Sequence, residues 1–274
     1  MTPGSQTGSP AVTRSALGGL AVGAAVSSLL GAGIFAGFAA VALAVGVVMA
    51  LESLLDSGRV LTVVAGLLTM LFPLAVASDG EGGILWAAAV ALMVLAAGYV
   101  LRRQRPGALV ALAVSLGVVL HVGLTGSFLV LVAVGGNRLL PALILMAAAF
   151  EVVYLVVSAR GGTPAEQESG KAPGRGFGID PRAALAGMAA CQAAALGSRT
   201  FLPSPPGVVS SLVLGAVVAS GALVGRLSAA AIAEDLGSRA GGRSSLVASG
   251  VIPHLNALLF AAGAFYYGFR LYLT

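Results

Sequence analysis

The chain has 274 residues, of which 58% are hydrophobic and 9% are charged, and its formal net charge is +5. Soluble domains carry about 25% charged residues, so this composition excludes a water-soluble globular protein. Several apolar runs reach the roughly 20 residues that a helix needs to span a bilayer. The sequence therefore predicts an all-α, polytopic integral membrane protein.

In chain order, a polar tail over residues 1–13 is predicted to be disordered, and a single transmembrane domain over residues 14–274 follows it. The fifth apolar segment of this domain is long for one span and holds three glycines, so we expect it to break or tilt. A long polar connection over about residues 160–181 is predicted to be a cytoplasmic loop. The nine predicted apolar segments are at about 15–32, 34–54, 60–77, 84–101, 108–134, 139–158, 182–199, 206–227 and 250–272.

The basic residues indicate how these segments are oriented. With nine spans, 12 of the 15 Lys and Arg residues fall on the side of the N-terminus and three fall on the other side. Because cytoplasmic loops carry the excess of Lys and Arg, the N-terminus is predicted to be cytoplasmic and the C-terminus extracytoplasmic, in the cell membrane. Orientation and contact with anionic headgroups account for the positive charge, so no nucleic-acid partner is expected.

The stretch from Gly225 to Phe260 carries the most informative motif. It contains Asp-Leu-Gly at positions 235–237, Gly-Val at positions 250–251 and Leu-Leu-Phe at positions 258–260. This frame resembles the signature of the phosphatidate cytidylyltransferases, also called CDP-diacylglycerol synthases. The resemblance implies the membrane fold of that family. It also implies a dimer, formed with a second copy of the chain or with an active relative. It also implies a reaction that transfers a cytidylyl group from CTP to phosphatidate with divalent metal ions.

The residues that would perform this chemistry are replaced. Where the family has acidic residues, this chain has Arg226, Ala240, Pro253 and Asn256. Mg²⁺ prefers hard oxygen ligands, which arginine and alanine side chains do not offer. These positions, together with Glu151, are therefore interpreted as a degenerate, non-catalytic site, and neither a metal ion nor another cofactor is expected.

Glu151 lies inside the sixth apolar segment, at a place where the family has an Asp, and Tyr154 follows it. A carboxylate is costly to bury in a membrane, so it is expected to be paired, protonated or in a watery cavity. Our hypothesis is that Glu151 and Arg226 form an ion pair where the metal of the family is bound. The alternative is that Arg226 extends its guanidinium to the lipid headgroups.

The leading interpretation is a non-catalytic relative of the family, a pseudoenzyme that binds lipid, acts as a scaffold or regulates an active relative. Its expected partners are membrane lipids, anionic phospholipid among them, and a second copy of the chain or another membrane protein. The candidates for binding a lipid phosphate from the cytoplasmic side are Arg182, Arg226, Arg239 and Arg243.

Two alternatives stay open. The first is an active CTP-dependent phosphatidate cytidylyltransferase of phospholipid biosynthesis with a remodelled site that requires Mg²⁺. Its available metal ligands would be Glu151, Asp180, Glu234 and Asp235. The second is a transporter or a subunit of a larger membrane complex, for which His121 in the fifth segment would be either a proton relay or a helix–helix hydrogen-bond partner.

Overall fold

All described secondary structure is helical. The structure, a computed structural model, describes residues 31–54, 59–102, 108–136, 138–161, 180–200, 202, 206–239 and 251–273. Within these ranges there are eight α-helices and no strand, which confirms the predicted all-α class. The helices are α1 (Ala32–Leu54), α2 (Arg59–Asp79), α3 (Glu81–Arg102), α4 (Ala108–Gly135), α5 (Leu139–Gly161), α6 (Pro181–Ser198), α7 (Val208–Arg239) and α8 (Val251–Leu273).

Six of the described helices, α1 to α5 and α7, are long and apolar enough to cross a membrane. This is the architecture of a multi-pass membrane protein. The count of nine spans and the orientation of the termini stay predictions. Residues 1–30, which include the predicted tail and most of the first segment, lie outside the described residues. The middle of the predicted loop, residues 162–179, also lies outside them.

The structure differs from the prediction in two segments. The fifth segment was expected to break or tilt, and the break was wrong, because α4 is one continuous helix of 28 residues. Gly123 and Gly126 receive the Phe72 ring and the Leu43 side chain, so these glycines serve helix packing. A glycine costs a helix about 1 kcal/mol, which packing of this kind offsets. The eighth apolar segment was predicted to end at about residue 227, whereas α7 continues to Arg239.

The chain divides into two compact units, each described by itself below. The N-terminal unit comprises residues 1–130 and 235–252, and the C-terminal unit comprises residues 131–234 and 253–274. The prediction of a single transmembrane domain stays a prediction. The core of the N-terminal unit is built from buried aliphatic residues and Phe72, contributed by the first four helices. Its members are Val47, Leu51, Ala65, Leu68, Phe72, Ala75, Ala87, Ala91, Leu95 and Val119.

In the N-terminal unit, α2 and α3 are joined by a turn at Gly80. This residue has φ +59°, a left-handed conformation that glycine adopts without strain. The Gly80 N–H donates to the Val76 carbonyl at 2.9 Å and closes the end of α2. Gly83 then lies so close to the Ala75 carbonyl that a side chain there would overlap it. The two helices therefore form a tight hairpin.

In the C-terminal unit, α7 and α8 pack antiparallel through two glycines. Gly221 faces the Phe260 carbonyl, and Gly225 lies against the backbone of Asn256. Within a bilayer the hydrophobic effect contributes little to helix association. Transmembrane helices therefore often associate at small residues, where their backbones can approach closely. The same device joins α6 to α5, where Gly187 contacts the Phe150 ring.

The register of these contacts gives the C-terminal unit two distinct ends. Gly215 on α7 contacts Gln192 on α6, and Arg199 after α6 donates from Nε to the Pro206 carbonyl before α7 at 2.7 Å. Leu139 at the start of α5 lines one crevice together with Phe269 and Arg270 near the end of α8. The start of α5, the end of α6, the start of α7 and the end of α8 therefore lie together. We call this the Leu139 end and the opposite one the Gly161 end.

Candidate functional site

The centre of the candidate site is an ion pair between Arg226 and Glu151. The Arg226 Nη1 atom donates to the Glu151 Oε2 atom at 2.5 Å. The two side chains are 15% and 14% exposed, and both residues lie within candidate membrane spans. The predicted ion pair is therefore present. The alternative, in which Arg226 merely extends its guanidinium to the headgroups without a partner in the protein, was wrong, since this group is bonded to Glu151.

Tyr154 covers the guanidinium. The Arg226 Cζ atom lies 4.0 Å from the centroid of the Tyr154 ring, a distance typical of a cation–π contact. Tyr154 follows Glu151 by three residues on α5, so both side chains lie on one face of that helix. The ring also stacks on Phe150 at a centroid distance of 6.0 Å. Arg226 is thus fixed by a carboxylate and by an aromatic face.

The local sequence explains why Arg226 is held at this place. Gly225 brings α7 into contact with the backbone of α8 at Asn256, which leaves no room for a side chain at position 225. Ser228 bonds back to the Gly225 carbonyl at 2.9 Å. The Asn256 Nδ2 atom approaches the Ser228 hydroxyl at 3.5 Å, the long limit of a hydrogen bond. Asn256, one of the degenerate positions, is therefore buried beside the site rather than among metal ligands.

The electrostatics of this pair follow from its surroundings. A single charge inside a bilayer-spanning bundle is costly, and an opposite charge at hydrogen-bond distance offsets much of that cost. The Glu151 carboxylate and the Arg226 guanidinium together carry no net charge. The bundle thus keeps two ionisable groups at this depth because each neutralises the other.

Of the other three candidate arginines, the structure describes the side chain of Arg182 only. Arg182 is exposed in the first turn of α6, where its backbone N–H donates to the capping Asp180 side chain at 2.9 Å. It lies 16 residues from the end of α6, and Arg226 lies 18 residues from the start of α7. Because these helices are antiparallel, the two arginines differ by only about 3 Å in depth. The side chain of Arg239 and all of Arg243 lie outside the described residues.

A divalent metal ion does not fit the pair as the structure shows it. The Arg226 guanidinium contacts the Glu151 Oε2 atom, and its positive charge would repel Mg²⁺ from this carboxylate. In the described part of the chain, no group of three or more His, Cys, Asp or Glu residues could hold a metal ion. Asp180, a ligand candidate of the remodelled-enzyme alternative, caps α6 instead. The side chains of Glu234, Asp235 and Pro253 are not described, and Ala240 lies outside the described residues.

Sequence reasoning missed three features of this site. Tyr154 was noted for its position after Glu151 but not as a partner of the Arg226 cation. The Phe150 ring and the Ser228 hydroxyl were not singled out at all. The aromatic spacing of four residues on α5 was the available signal for Phe150 and Tyr154. His121 belongs to the N-terminal unit, where its carbonyl accepts a bond from Thr125, and its suggested roles stay predictions.

Fold and site together define a class of protein. The chain is a multi-pass α-helical membrane protein that holds a part-buried Arg–Glu pair within one of its helical units. No protein-family model matches the chain. No curated protein matches it by sequence. The functional argument therefore depends on the chemistry of the site.

Proposed function

We propose that the protein is a non-catalytic membrane protein of the phosphatidate cytidylyltransferase type that binds the phosphate of an anionic phospholipid at Arg226 and Arg182. The observation that carries this proposal is the position of the Arg226 guanidinium, bonded to Glu151 and covered by Tyr154. The proposal includes nine spans, a cytoplasmic N-terminus and a fold like that of CDP-diacylglycerol synthases. A homodimer, or a heteromer with an active relative, would suit the scaffolding or regulatory role of such a protein.

The absence of catalysis follows from the charge at position 226. Transfer of a cytidylyl group from CTP requires divalent cations to offset the charge of the nucleotide and the pyrophosphate. In this chain a guanidinium is bonded at 2.5 Å to the carboxylate that the resemblance assigns to the metal region. The guanidinium of Arg226, which belongs to the protein, would therefore take the place of the exchangeable metal ion.

Phosphate binding follows from the geometry of arginine. A guanidinium has five N–H donors in a planar fork that matches phosphate oxygens, and the bond to Glu151 uses one of its terminal nitrogens. The Tyr154 ring restricts the rotation of this plane, so little entropy is lost when a second acceptor binds. Glu151 offsets the charge of Arg226, and the exposed Arg182 at similar depth supplies a second guanidinium.

Lipid retained by purified protein tests this proposal directly. Protein reconstituted in nanodiscs of phosphatidylcholine with a minor fraction of phosphatidate would be analysed by native mass spectrometry for bound lipid. The double variant Glu151→Gln with Arg226→Gln removes the pair without leaving a lone buried charge. Combined with Arg182→Gln, we expect it to lower the enrichment of phosphatidate by about tenfold or more, since each arginine that contacts the phosphate loses a charged hydrogen bond worth about 1 kcal/mol or more.

Arg160→Gln is the matched control, because Arg160 is also exposed and lies at the Gly161 end of α5. We expect it to change the enrichment by less than about twofold. If the combined variant retains phosphatidate as the wild-type chain does, the proposed phosphate site is wrong. A separate assay with labelled CTP, phosphatidate and Mg²⁺ tests the absence of catalysis. Formation of CDP-diacylglycerol at enzyme-like rates would favour the remodelled enzyme instead.

A further inference from the structure

Two stacked aromatic rings on α5 connect the Arg226 guanidinium to the interior of the C-terminal unit. The Tyr154 ring, whose centroid is 4.0 Å from the Arg226 Cζ atom, also stacks on the Phe150 ring at 6.0 Å and an interplanar angle of 25°. Phe150 is fully buried, and Tyr154 is 5% exposed. The two rings are four residues apart on one helix, so their contact follows from helix register. Tyr154 therefore has a buried aromatic neighbour in addition to the cation.

The Phe150 ring is in turn confined by α6. A Cβ at Gly187 would lie 3.0 Å from the Phe150 Cδ2 atom and 3.1 Å from the Phe150 carbonyl oxygen. A side chain at position 187 would therefore press on the ring and on the backbone of α5 at once. Because protein interiors are close-packed, a ring enclosed in this way transmits a displacement to its neighbours. Contacts thus connect α6, through Phe150 and Tyr154, to Arg226.

The same helix carries the second arginine of the proposed phosphate site. Arg182 lies five residues before Gly187 on α6, which is about 7.5 Å along the helix axis. A phosphate that is bound by two guanidinium groups needs a fixed separation between them, since a misplaced donor loses its hydrogen bond. The backbone of α6 carries Arg182 directly, and its contact with Phe150 restricts the rings that lie against Arg226.

We propose that Phe150 and Gly187 are positioning residues, which act through Tyr154 to hold the Arg226 guanidinium in the orientation that binds a phosphate together with Arg182. Both are buried, so they act without touching the ligand. Glu151 fixes one terminal nitrogen of Arg226, and the stacked rings limit the rotation of the guanidinium about that bond. The inference rests on the proposed function for its ligand, whereas the contacts that carry it are independent of any ligand.

The C-terminal unit contains a matched aromatic pair away from this site. Phe265 and Phe269 on α8 are also four residues apart, with ring centroids separated by 5.9 Å and an interplanar angle of 13°. Phe265 is fully buried, as Phe150 is. It lines the crevice at the Leu139 end, and Phe150 lies 11 residues further along α5, which is about 16 Å. Leucine at either position therefore removes the same ring from a similar stack.

Two measurements on the full chain in nanodiscs test the proposal. The first is the Nε–Hε resonance of Arg226 in protein labelled with ¹⁵N-arginine, which a ring face shifts upfield. The double variant Glu151→Gln with Arg226→Gln identifies this resonance by its loss. The second is the enrichment of phosphatidate by native mass spectrometry. We expect Phe150→Leu to move the resonance downfield and to lower the enrichment by about threefold, since the energy of one aromatic pair limits the change. Phe265→Leu should leave both unchanged.

A second variant acts on the same ring from α6. Gly187→Ala forces its neighbours to move by a few tenths of an ångström, so it should also shift the Arg226 resonance. With leucine at position 150 there is no ring to displace, so the same substitution should then have little further effect. Gly215→Ala is the matched control, because a Cβ there meets the Ala195 Cβ at 2.9 Å in the contact of α6 with α7, away from the rings. It should leave the resonance in place.

The outcomes separate this inference from the proposed function. Equal resonance shifts for Phe150→Leu and Phe265→Leu, or additive shifts for Gly187→Ala and Phe150→Leu, would overturn the positioning role. Normal enrichment in Phe150→Leu, where the variant that lacks both arginines and Glu151 loses it, would overturn it as well. If the wild-type chain does not enrich phosphatidate, the phosphate site is wrong, and the resonance alone then decides whether the rings position Arg226.

Discussion

The interiors of the two units differ in charge but are similar in packing. Both bring helices together at glycines, Gly66 and Gly123 in the N-terminal unit and Gly221 and Gly225 in the C-terminal unit. The described core of the N-terminal unit contains apolar residues and hydroxyl groups, and its Glu52 is exposed on α1. The C-terminal unit instead encloses the pair of Glu151 and Arg226. Helix packing in this chain therefore does not require buried charge, and the C-terminal unit is where a function should be sought.

The largest expected effect comes from removing one charge of the pair. Glu151→Gln leaves the Arg226 guanidinium largely buried without its counter-ion, which we expect to cost about 3–5 kcal/mol of stability. Thermal unfolding in detergent, followed by circular dichroism, would measure this as a large decrease in Tm. Glu52→Gln in the N-terminal unit is the matched control, and its cost should be below about 0.5 kcal/mol. Equal losses for the two variants would contradict the difference between the units.

The next effect concerns the contact of α7 with α8. Gly225→Ala places a methyl group against the Asn256 backbone, so the helices must separate, at a cost of about 1–3 kcal/mol. The control in the N-terminal unit is Gly117→Ala, which has open space around it and gains helix propensity of up to about 1 kcal/mol. Unfolding free energies measured for both variants should therefore change in opposite directions. A neutral Gly225→Ala would mean that the two helices are not in close contact there.

A smaller effect is expected at the aromatic partner. Tyr154→Leu removes the ring beneath Arg226 and should cost about 0.5–2 kcal/mol in addition to any change in packing. Tyr154→Phe keeps the ring face and should retain most of the stability. Double variants with Glu151→Gln would show whether the carboxylate and the ring act together on one cation. Additive losses would indicate that Tyr154 acts only as a packing residue.

The class of protein could be predicted from composition, because charged residues are too few for a soluble surface. The ion pair could also be predicted, although its members are 75 residues apart, because a carboxylate inside an apolar segment needs a partner and the resemblance places Arg226 where the family has an acidic residue of the same site. The end of α7 could not be predicted from the sequence. After residue 227 the chain becomes more polar but stays rich in alanine, so the apolar run ends while the helix continues. Tyr154 and Ser228 depend on helix register, which one sequence does not specify.

The smallest expected effect concerns the buried hydroxyl groups of the N-terminal unit. Their contribution to the stability of the protein can be compared with that of the Glu151–Arg226 pair. Among the described residues, the Ser115 hydroxyl is fully buried and makes no hydrogen bond, whereas Ser127 on the same helix bonds the Gly123 carbonyl at 2.8 Å. A buried hydroxyl without a partner costs free energy, so Ser115→Ala should stabilise the protein by about 0.5–1 kcal/mol. Ser127→Ala loses a bond and should destabilise it slightly. If chemical unfolding instead shows that Ser115→Ala destabilises the protein, the Ser115 hydroxyl is hydrogen-bonded to a buried water or another group. The core of the N-terminal unit then contains a stabilising hydrogen bond in addition to those described for it.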